Sequence, residues 1–568
     1  MFSHEISGLK CSRDIPTMSY LHRIAASFST IGLVLGMSLF CVSLTPSLLP
    51  RDVIAQGVLA GVVFSAGYGI GIAGHWTWTF MELRDLTGRW ARVLTWIPVV
   101  ILALTSIFTL NRMTTWQNSI RVRMEMAPID SAYPLTVLCV ACGTALVIIL
   151  LVRLLIMVAT KAVDAINRYL PRRIAIVLGG VSFFLFLISF VNGVIIKSTL
   201  HAMDESFAAI NWILDSNDAP PQDTWASGSA GSLVSWADIG RNGKRFVTDG
   251  PSKEEIEAVL GREAMQPIRV YAGFNTGDTL EERAQIALAE MIRVGGFDRS
   301  TLIIATSTGT GWLDPSAVDS VEFLHAGDTA IVTMQYSYLP SWLTLIVEPE
   351  VAQQAANALF MAIFSHWTRL PHDHRPELYL HGLSLGALGS EFSADLTSIL
   401  TDPIHGALWS GPPFLSKLWN VVTKGRVSGS PQWRPVFHDS SAVRFMTQDG
   451  FPDLAGAEWG PLRIVYLQHA SDPMSFFSTD LAYVRPDWLG PNRGRDVSPY
   501  FRWFPVVSFF QTAFDIPMAT SVPLGYGHNF SPAAYIDAWI EVTRPKNWSA
   551  SDTKGLKAHF TGFNPRPM

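Results

Sequence analysis

Charge is what this sequence has least of: Asp, Glu, Lys and Arg make up 16% of its 568 residues, whereas 49% are hydrophobic. With a mean hydropathy of +0.25 and 19 tryptophans, that balance excludes an ordinary soluble enzyme over the whole length and requires lipid around part of the chain. Cysteine is nearly absent. Of the four, Cys11, Cys41, Cys139 and Cys142, none follows residue 200, which permits an oxidising compartment without requiring one. Cys139 and Cys142 form a C-x-x-C flanked by Val and Ala in an apolar run, a setting for small-residue packing rather than zinc or redox chemistry. No short apolar run with a small-residue cleavage site opens the chain, so no removable signal peptide is expected. The Gly-Lys-Ser/Thr of a phosphate loop is lacking too. Thr308-Gly309-Thr310-Gly311 runs instead into Trp312-Leu313-Asp314-Pro315, which breaks the helix such a loop needs.

The apolar residues that are present concentrate in the first third. Runs at 24–48, 53–74, 91–110, 133–158 and 174–196 each approach or exceed the roughly 20 residues that cross a bilayer core as helix. They predict five spans. Gly57, Gly61, Gly67, Gly69, Gly71 and Gly74 dilute the second run, but small residues so spaced suit close helix packing in membranes, and Trp76 and Trp78 at its end fit an interfacial belt. Lys10, Arg13 and Arg23 precede the first run, Arg84 and Arg89 follow the second, and Lys161, Arg168, Arg172 and Arg173 follow the fourth. The alternate loops hold Arg51, then Arg112, Arg121 and Arg123, then Lys197. The larger basic share marks the cytoplasmic side, so an inside amino terminus and five spans place everything after Lys197 outside the cytoplasm.

Residues 1–200 thus read as a transmembrane domain and 201–266 as a linker, with a polar Pro-, Gly- and Ser-containing stretch from Asp215 to Asp249. Residues 267–568 read as one α/β domain, with 412–460 as a cap or insertion. Strands are expected at 268–271, 301–305, 330–336, 378–380, 406–409 and 464–467, and helices at 280–292 and 351–367. Short apolar strands alternating with helices imply a mainly parallel sheet covered on both faces. The fold class is therefore an α-helical transmembrane bundle followed by an α/β domain with a mainly parallel sheet covered by helices.

The chemistry centres on His381-Gly382-Leu383-Ser384-Leu385-Gly386. A G-x-S-x-G between an apolar strand and a small-residue helix start is a nucleophile elbow, in which the glycines let strand and helix backbones pass close to a serine on a strained turn. Ser384 is the expected nucleophile. In this class the acid and the histidine follow the serine, each on a loop after a later strand. Asp472 stands on a turn just past strand 464–467, with Pro473 after it, and His528 lies in the glycine-flanked loop Gly525-Tyr526-Gly527-His528. His469 is the rival imidazole, but it precedes the acid and lies close to it in sequence. A serine needs a base, and the base needs a carboxylate to fix its tautomer. For an oxyanion hole the backbone N–H of Leu385 gives one donor, and the loop after strand 301–305, at Thr308 and Gly309, is expected to give the other. His372-Asp373-His374 reads as a solvated turn rather than a metal site, and the aromatic stretch 498–516 as core or as the wall of an acyl pocket.

Taken together, Thr45-Pro46-Ser47-Leu48-Leu49-Pro50-Arg51, Arg269-Val270-Tyr271-Ala272-Gly273, the 308–315 segment, Gln335-Tyr336-Ser337-Tyr338-Leu339-Pro340-Ser341-Trp342 and the elbow carry a resemblance. The chain resembles the bacterial membrane-anchored α/β-hydrolases with a multi-span amino-terminal domain, over nearly its whole length. The resemblance implies a serine hydrolase fold and leaves the reaction open. The expected function is a plasma-membrane serine hydrolase that cleaves an ester of a lipid or acylated envelope component through an acyl-enzyme, with membrane lipids around it and no cofactor, metal or nucleic acid. An acyltransferase using the same residues is the alternative, as is a non-catalytic binding or assembly protein.

Overall fold

The computed structural model describes residues 28–83, 88–190, 203, 206–207, 209, 211, 219–394, 401–454 and 456–563. Cys11, Lys10, Arg13, Arg23, Arg84, Lys197 and the outer ends of the first and fifth apolar runs lie outside them. The chain forms two compact units: Met1–Thr45 with Asp52–Thr115 and Asp130–Leu154, and Pro46–Arg51 with Trp116–Ile129 and Leu155–Met568.

The first unit is helical. Ser29 caps α1 (Thr30–Ser43), and Asp52 caps α2 (Val53–Phe80) by accepting from the N–H groups of Ile54 and Ala55 at 2.8 and 2.9 Å. Such caps satisfy amide donors that no helix can satisfy for itself. The chain continues through α3 (Gly88–Arg121), whose end from Trp116 belongs to the second unit, and α4 (Pro134–Ile166), which passes into the second unit at Leu155, to α5 (Arg172–Phe190) in that second unit. The glycines of α2 act as the sequence spacing suggests. A Cβ at Gly67 or Gly71 would strike the α1 backbone, and one at Gly57 or Gly61 would strike Val140 or Thr144 of α4; nothing lies near Gly69 or Gly74. Among the described residues three helices, Val53–Phe80, Ile97–Met124 and Pro134–Ile166, are long and apolar enough to cross a membrane. Among the described residues the outer two apolar helices are shorter, Thr30–Ser43 and Val177–Phe186.

The second unit is built on a seven-stranded, wholly parallel sheet in the order β1-β3-β2-β4-β5-β7-β6. The strands are β1 (Ile268–Ala272), β2 (Thr301–Thr306), β3 (Thr329–Met334), β4 (Glu377–Leu383), β5 (Gly406–Ser410), β6 (Val443–Met446) and β7 (Arg463–Leu467). Their residues are buried almost without exception because each face meets its own apolar layer: Leu302, Ile304, Leu378 and Leu380 point into one, Ile303, Ala305 and Tyr379 into the other. Helices α8 (Leu280–Arg293), α9 (Pro315–Leu324), α10 (Ser341–Val347), α11 (Pro349–Trp367), α12 (Leu385–Ser393), α13 (Lys417–Lys424), α14 (Pro473–Phe476), α15 (Val507–Asp515), α16 (Pro532–Thr543) and α17 (Ala550–His559) complete it.

Three features depart from a reading by local pattern. Val443–Met446, inside the stretch read as a cap, is the edge strand β6, paired with β7; four residues that include Arg444 are too short and too charged to announce a strand. The region read as a linker holds α6 (Gly240–Thr248) and α7 (Lys253–Leu260), and Val234, Ile239, Phe246 and Ile256 are buried in the core on one face of the sheet. Finally, Pro46–Arg51 belongs to the unit that holds the sheet. Leu48 and Leu49 are fully buried in its core, and Arg51 meets Asp515 at 2.8 Å with both side chains inaccessible to solvent. Asp515 also accepts from Ser47 Oγ and from the N–H groups of Leu48 and Leu49. Burial pushes the Asp515 carboxyl up and the Arg51 guanidinium down, and the opposite charge of each partner resists that shift.

Candidate active site

Ser384 sits where β4 ends and α12 begins, with φ 57° and ψ −123°. A non-glycine residue holds such a conformation at a cost of roughly 1–3 kcal/mol, so the surroundings must enforce it. They do so by close approach. A Cβ at Gly382 would run into the backbone of Gly386, and one at Gly386 into the Thr306 carbonyl. The Ser384 amide is tied to the Ser410 carbonyl of the neighbouring strand at 2.9 Å. The elbow read from the motif is thus present in its strand, turn and helix.

Asp472 and His528, 56 residues apart, are joined: the His528 Nδ1–H donates to Asp472 Oδ2 at 2.7 Å. Asp472 is completely buried. It caps α14 through the Met474 N–H at 2.8 Å and receives the Ser475 hydroxyl at 3.4 Å. These donors fix its orientation. The His528 amide is held by the Ala519 carbonyl at 2.8 Å. With Nδ1 occupied by the acid, Nε2 is left as the acceptor, and it makes no hydrogen bond. Ser384 Oγ makes none either. Both side chains line the same cavity, of about 500 Å³, although the two are only 2% and 4% exposed. Met474, Ile516 and Ala519 give one part of that cavity an apolar wall.

His469, the rival imidazole, is placed otherwise. It is fully buried, donates from Nδ1 to the Gly527 carbonyl at 2.9 Å and stacks on Phe530, with ring centroids 4.5 Å apart. Desolvation lowers its pKa. Its contacts hold the loop that carries His528. Ser471 supports the same loop by accepting the Gly527 N–H at 2.9 Å, while its own N–H donates to the buried Asp496.

The oxyanion donors divide. Leu385 opens α12, so its N–H has no intrahelical acceptor and stands beside the serine. The other expected pair is corrected by the structure: the Thr308 N–H is spent on the Trp312 carbonyl at 2.9 Å and the Gly309 N–H on Ser341 Oγ at 3.1 Å. The glycines close a local turn instead of aiming donors inward, and it is Thr310 that reaches the cavity. Asp314, at the end of that segment, caps α9, and burial raises its pKa to about 6.

One participant escaped sequence reasoning. Gly411 follows β5 with φ +51°, and a Cβ there would meet the His528 ring and Asp472 Oδ2. It keeps open the space in which acid and base meet. The signal available was a glycine directly after a buried strand and before Pro412-Pro413. Asp373 and His374 lie exposed on the loop before β4, and the described residues contain no group of three side chains able to hold a metal. The 498–516 aromatics pack internally, Phe501 against Trp488 and Phe509 against Phe477; the cavity wall is made by the residues that follow.

A parallel sheet with a positive-φ serine between a central strand and its helix, followed in chain order by a buried, hydrogen-bonded acid and histidine, defines an α/β-hydrolase. The family comparison agrees. The model for an alpha/beta-hydrolase family matches residues 268–556, and that for the amino-terminal part of such a family matches residues 44–251. The chain belongs to the α/β-hydrolase family. No curated protein and no solved structure matches it.

Proposed function

We propose that this protein is a membrane-integral serine hydrolase that cleaves an ester through an acyl-enzyme. The observation that carries the reading is the 2.7 Å bond between Asp472 and His528 beside the cavity that Ser384 lines. Ser384 Oγ attacks the ester carbonyl while His528 Nε2 takes its proton. The imidazolium, stabilised by Asp472, then protonates the departing alcohol. The Leu385 N–H faces the developing oxyanion. Water, deprotonated by His528, then hydrolyses the acyl-enzyme. The apolar wall at Met474, Ile516 and Ala519 suits an acyl chain. A fluorophosphonate probe is expected to label the detergent-solubilised protein and not its Ser384→Ala variant. Equal labelling of the two would overturn the assignment of the nucleophile.

The same proposal places the hydrolase domain outside the cytoplasm. Pro46–Arg51 and Trp116–Ile129 lie in one compact unit with the sheet, tied to it by the Arg51–Asp515 pair and by Ser119 Oγ to Ser498 Oγ at 2.7 Å. These loops flank α2 and α3, so a pair of spans returns the chain to the side it left. For the sheet to lie there too, α4 must be followed by another crossing, for which α5 is the apolar helix available. This supports five spans over three, with the hydrolase on the side poorer in Lys and Arg as the proposed arrangement. A phosphatase reporter fused after Met568 is expected to be active, and a fluorescent reporter that matures only in the cytoplasm to stay dark. The reverse pattern would refute the sidedness without touching the chemistry.

A further inference from the structure

The cavity is also lined by polar and positively charged side chains that the proposed hydrolysis does not use. Arg241 and Arg245 stand one turn apart on α6 and both line it, with Asn211 and Gln335. Like charges at this spacing disfavour a helix by a few tenths of a kcal/mol, and no acidic side chain lines the cavity among the described residues. Besides Ser384 Oγ and His528 Nε2, the buried polar atoms along the lining that make no hydrogen bond include three that the hydrolysis does not use: Arg241 Nε, Asn211 Nδ2 and Gln335 Oε1. Buried donors left without acceptors are costly, each by about 1–3 kcal/mol, and most such groups in native proteins are satisfied. Two of the three are donors. Gln335 is fixed, because its Nε2 already donates to the carbonyls of Thr310 and Ser337 at 3.4 and 3.0 Å. Asn242 is likewise held by the Thr310 carbonyl at 2.9 Å. The orphan donors thus line, beside the fixed Gln335 and Asn242, the cavity that also holds Ser384 and His528.

We infer that this lining is a subsite for an oxyanion carried by the substrate, and that the ester cleaved bears a phosphate or carboxylate group. Arg241, with Asn211, binds the anion, the acyl chain lies toward Met474 and Ile516, and the ester carbonyl falls between them at Ser384. A guanidinium suits this role because its planar fork pairs with two oxygens of a phosphate or carboxylate at once. The Gln335 acceptor fits a hydroxyl of the same molecule. The inference rests on the esterase reading for its substrate class but is testable without turnover.

The test uses the full chain in detergent with the Ser384→Ala substitution, so that esters bind without being cleaved. The probes are a lysophosphatidic acid, a short-chain acyl glycerol 3-phosphate and the monoacylglycerol matched to each. A single charge-assisted contact of about 1.4 kcal/mol gives roughly tenfold, so each phosphate ester should bind at least ~10-fold more tightly than its neutral match. Which of the two shows the larger preference separates a lipid headgroup from a soluble phosphate ester; a preference in either supports the subsite. Adding Arg241→Gln should remove most of the preference, and adding Arg241→Lys, which keeps the charge, should retain more of it. That contrast separates loss of the anion contact from loss of the fold. Equal affinity for charged and neutral esters, or a preference untouched by Arg241→Gln, overturns the inference. Fluorophosphonate labelling of Ser384 is read in parallel on the otherwise unaltered protein. If it fails while the anion preference stands, the esterase reading falls and the subsite remains; if labelling succeeds without anion preference, the subsite falls alone.

Discussion

Replacing Ser384 with Ala, or His528 with Ala, is expected to reduce ester hydrolysis by the detergent-solubilised protein at least ~10³-fold, and the double variant should be little worse than either single one, because the groups act as a unit. The expectation follows from the geometry. The Nε2 of His528 is an acceptor only while Nδ1 donates to Asp472, and among the described residues no other base lines the cavity that holds the Ser384 hydroxyl. Asp472→Asn should also be severe: an amide that donates to Nδ1 fixes the opposite tautomer and leaves Nε2 protonated, a change that costs on the order of 10⁴-fold in serine proteases. Steady-state hydrolysis of a chromogenic ester, with thermal melting as the check on folding, measures all three. Rates near wild type in a purified, folded Ser384→Ala protein would sink the mechanism. Unchanged activity in Asp472→Asn alone would move the acid to another loop carboxylate, such as Asp480.

The largest stability effect should come from a residue far from the serine in sequence. Arg51→Ala leaves Asp515 buried without its countercharge, and removing one partner of a buried pair costs about 3–5 kcal/mol. At roughly 2–4 °C per kcal/mol for a domain of this size, the melting temperature should fall by about 10 °C. Asp515→Ala should be at least as damaging, because it strands the Arg51 guanidinium together with the N–H groups of Leu48 and Leu49. Arg51→Lys should recover part of the loss but not all: a lysine keeps the charge but not the guanidinium fork, whose Nη2 also donates to the Gln511 carbonyl. Activity should decline along with stability, since Asp515 directly precedes the Ile516–Thr520 stretch whose residues line the cavity and whose Ala519 carbonyl holds the His528 amide. A melting temperature within about 2 °C of wild type for Arg51→Ala would refute the anchoring role.

Both predictions join segments that are remote in the chain, and this separates what could be read locally from what could not. The elbow was legible because its requirement is local: a serine at positive φ between a strand and a helix needs Gly382 and Gly386 within two residues. Chain order alone nominated Asp472 and His528, since each stands just beyond a recognisable strand or between turn-forming glycines. The buried strands β1 to β5 and β7 announced themselves as short apolar runs between turns. The small-residue spacing in α2 announced close packing, because a missing Cβ has one principal use in a helix.

The sequence by itself determined the division into an apolar helical third and an α/β domain, the strand–turn–helix at Ser384 and the order of its partners. All of these follow from hydrophobic period, backbone sterics and turn chemistry acting over a few residues. The tertiary structure alone decided the rest. It set the strand order, made an edge strand of Val443–Met446 and folded residues 240–260 against the sheet, so that Arg241 reached the cavity. It gave the Thr308 and Gly309 amides other acceptors, placed Gly411 against the histidine and carried Arg51 to Asp515, 464 positions away. The physical reason is that a hydrogen-bond donor, a buried charge or a bare Cα acquires its role from whatever atom lies opposite it, and that atom is supplied by packing, which has no fixed separation along the chain.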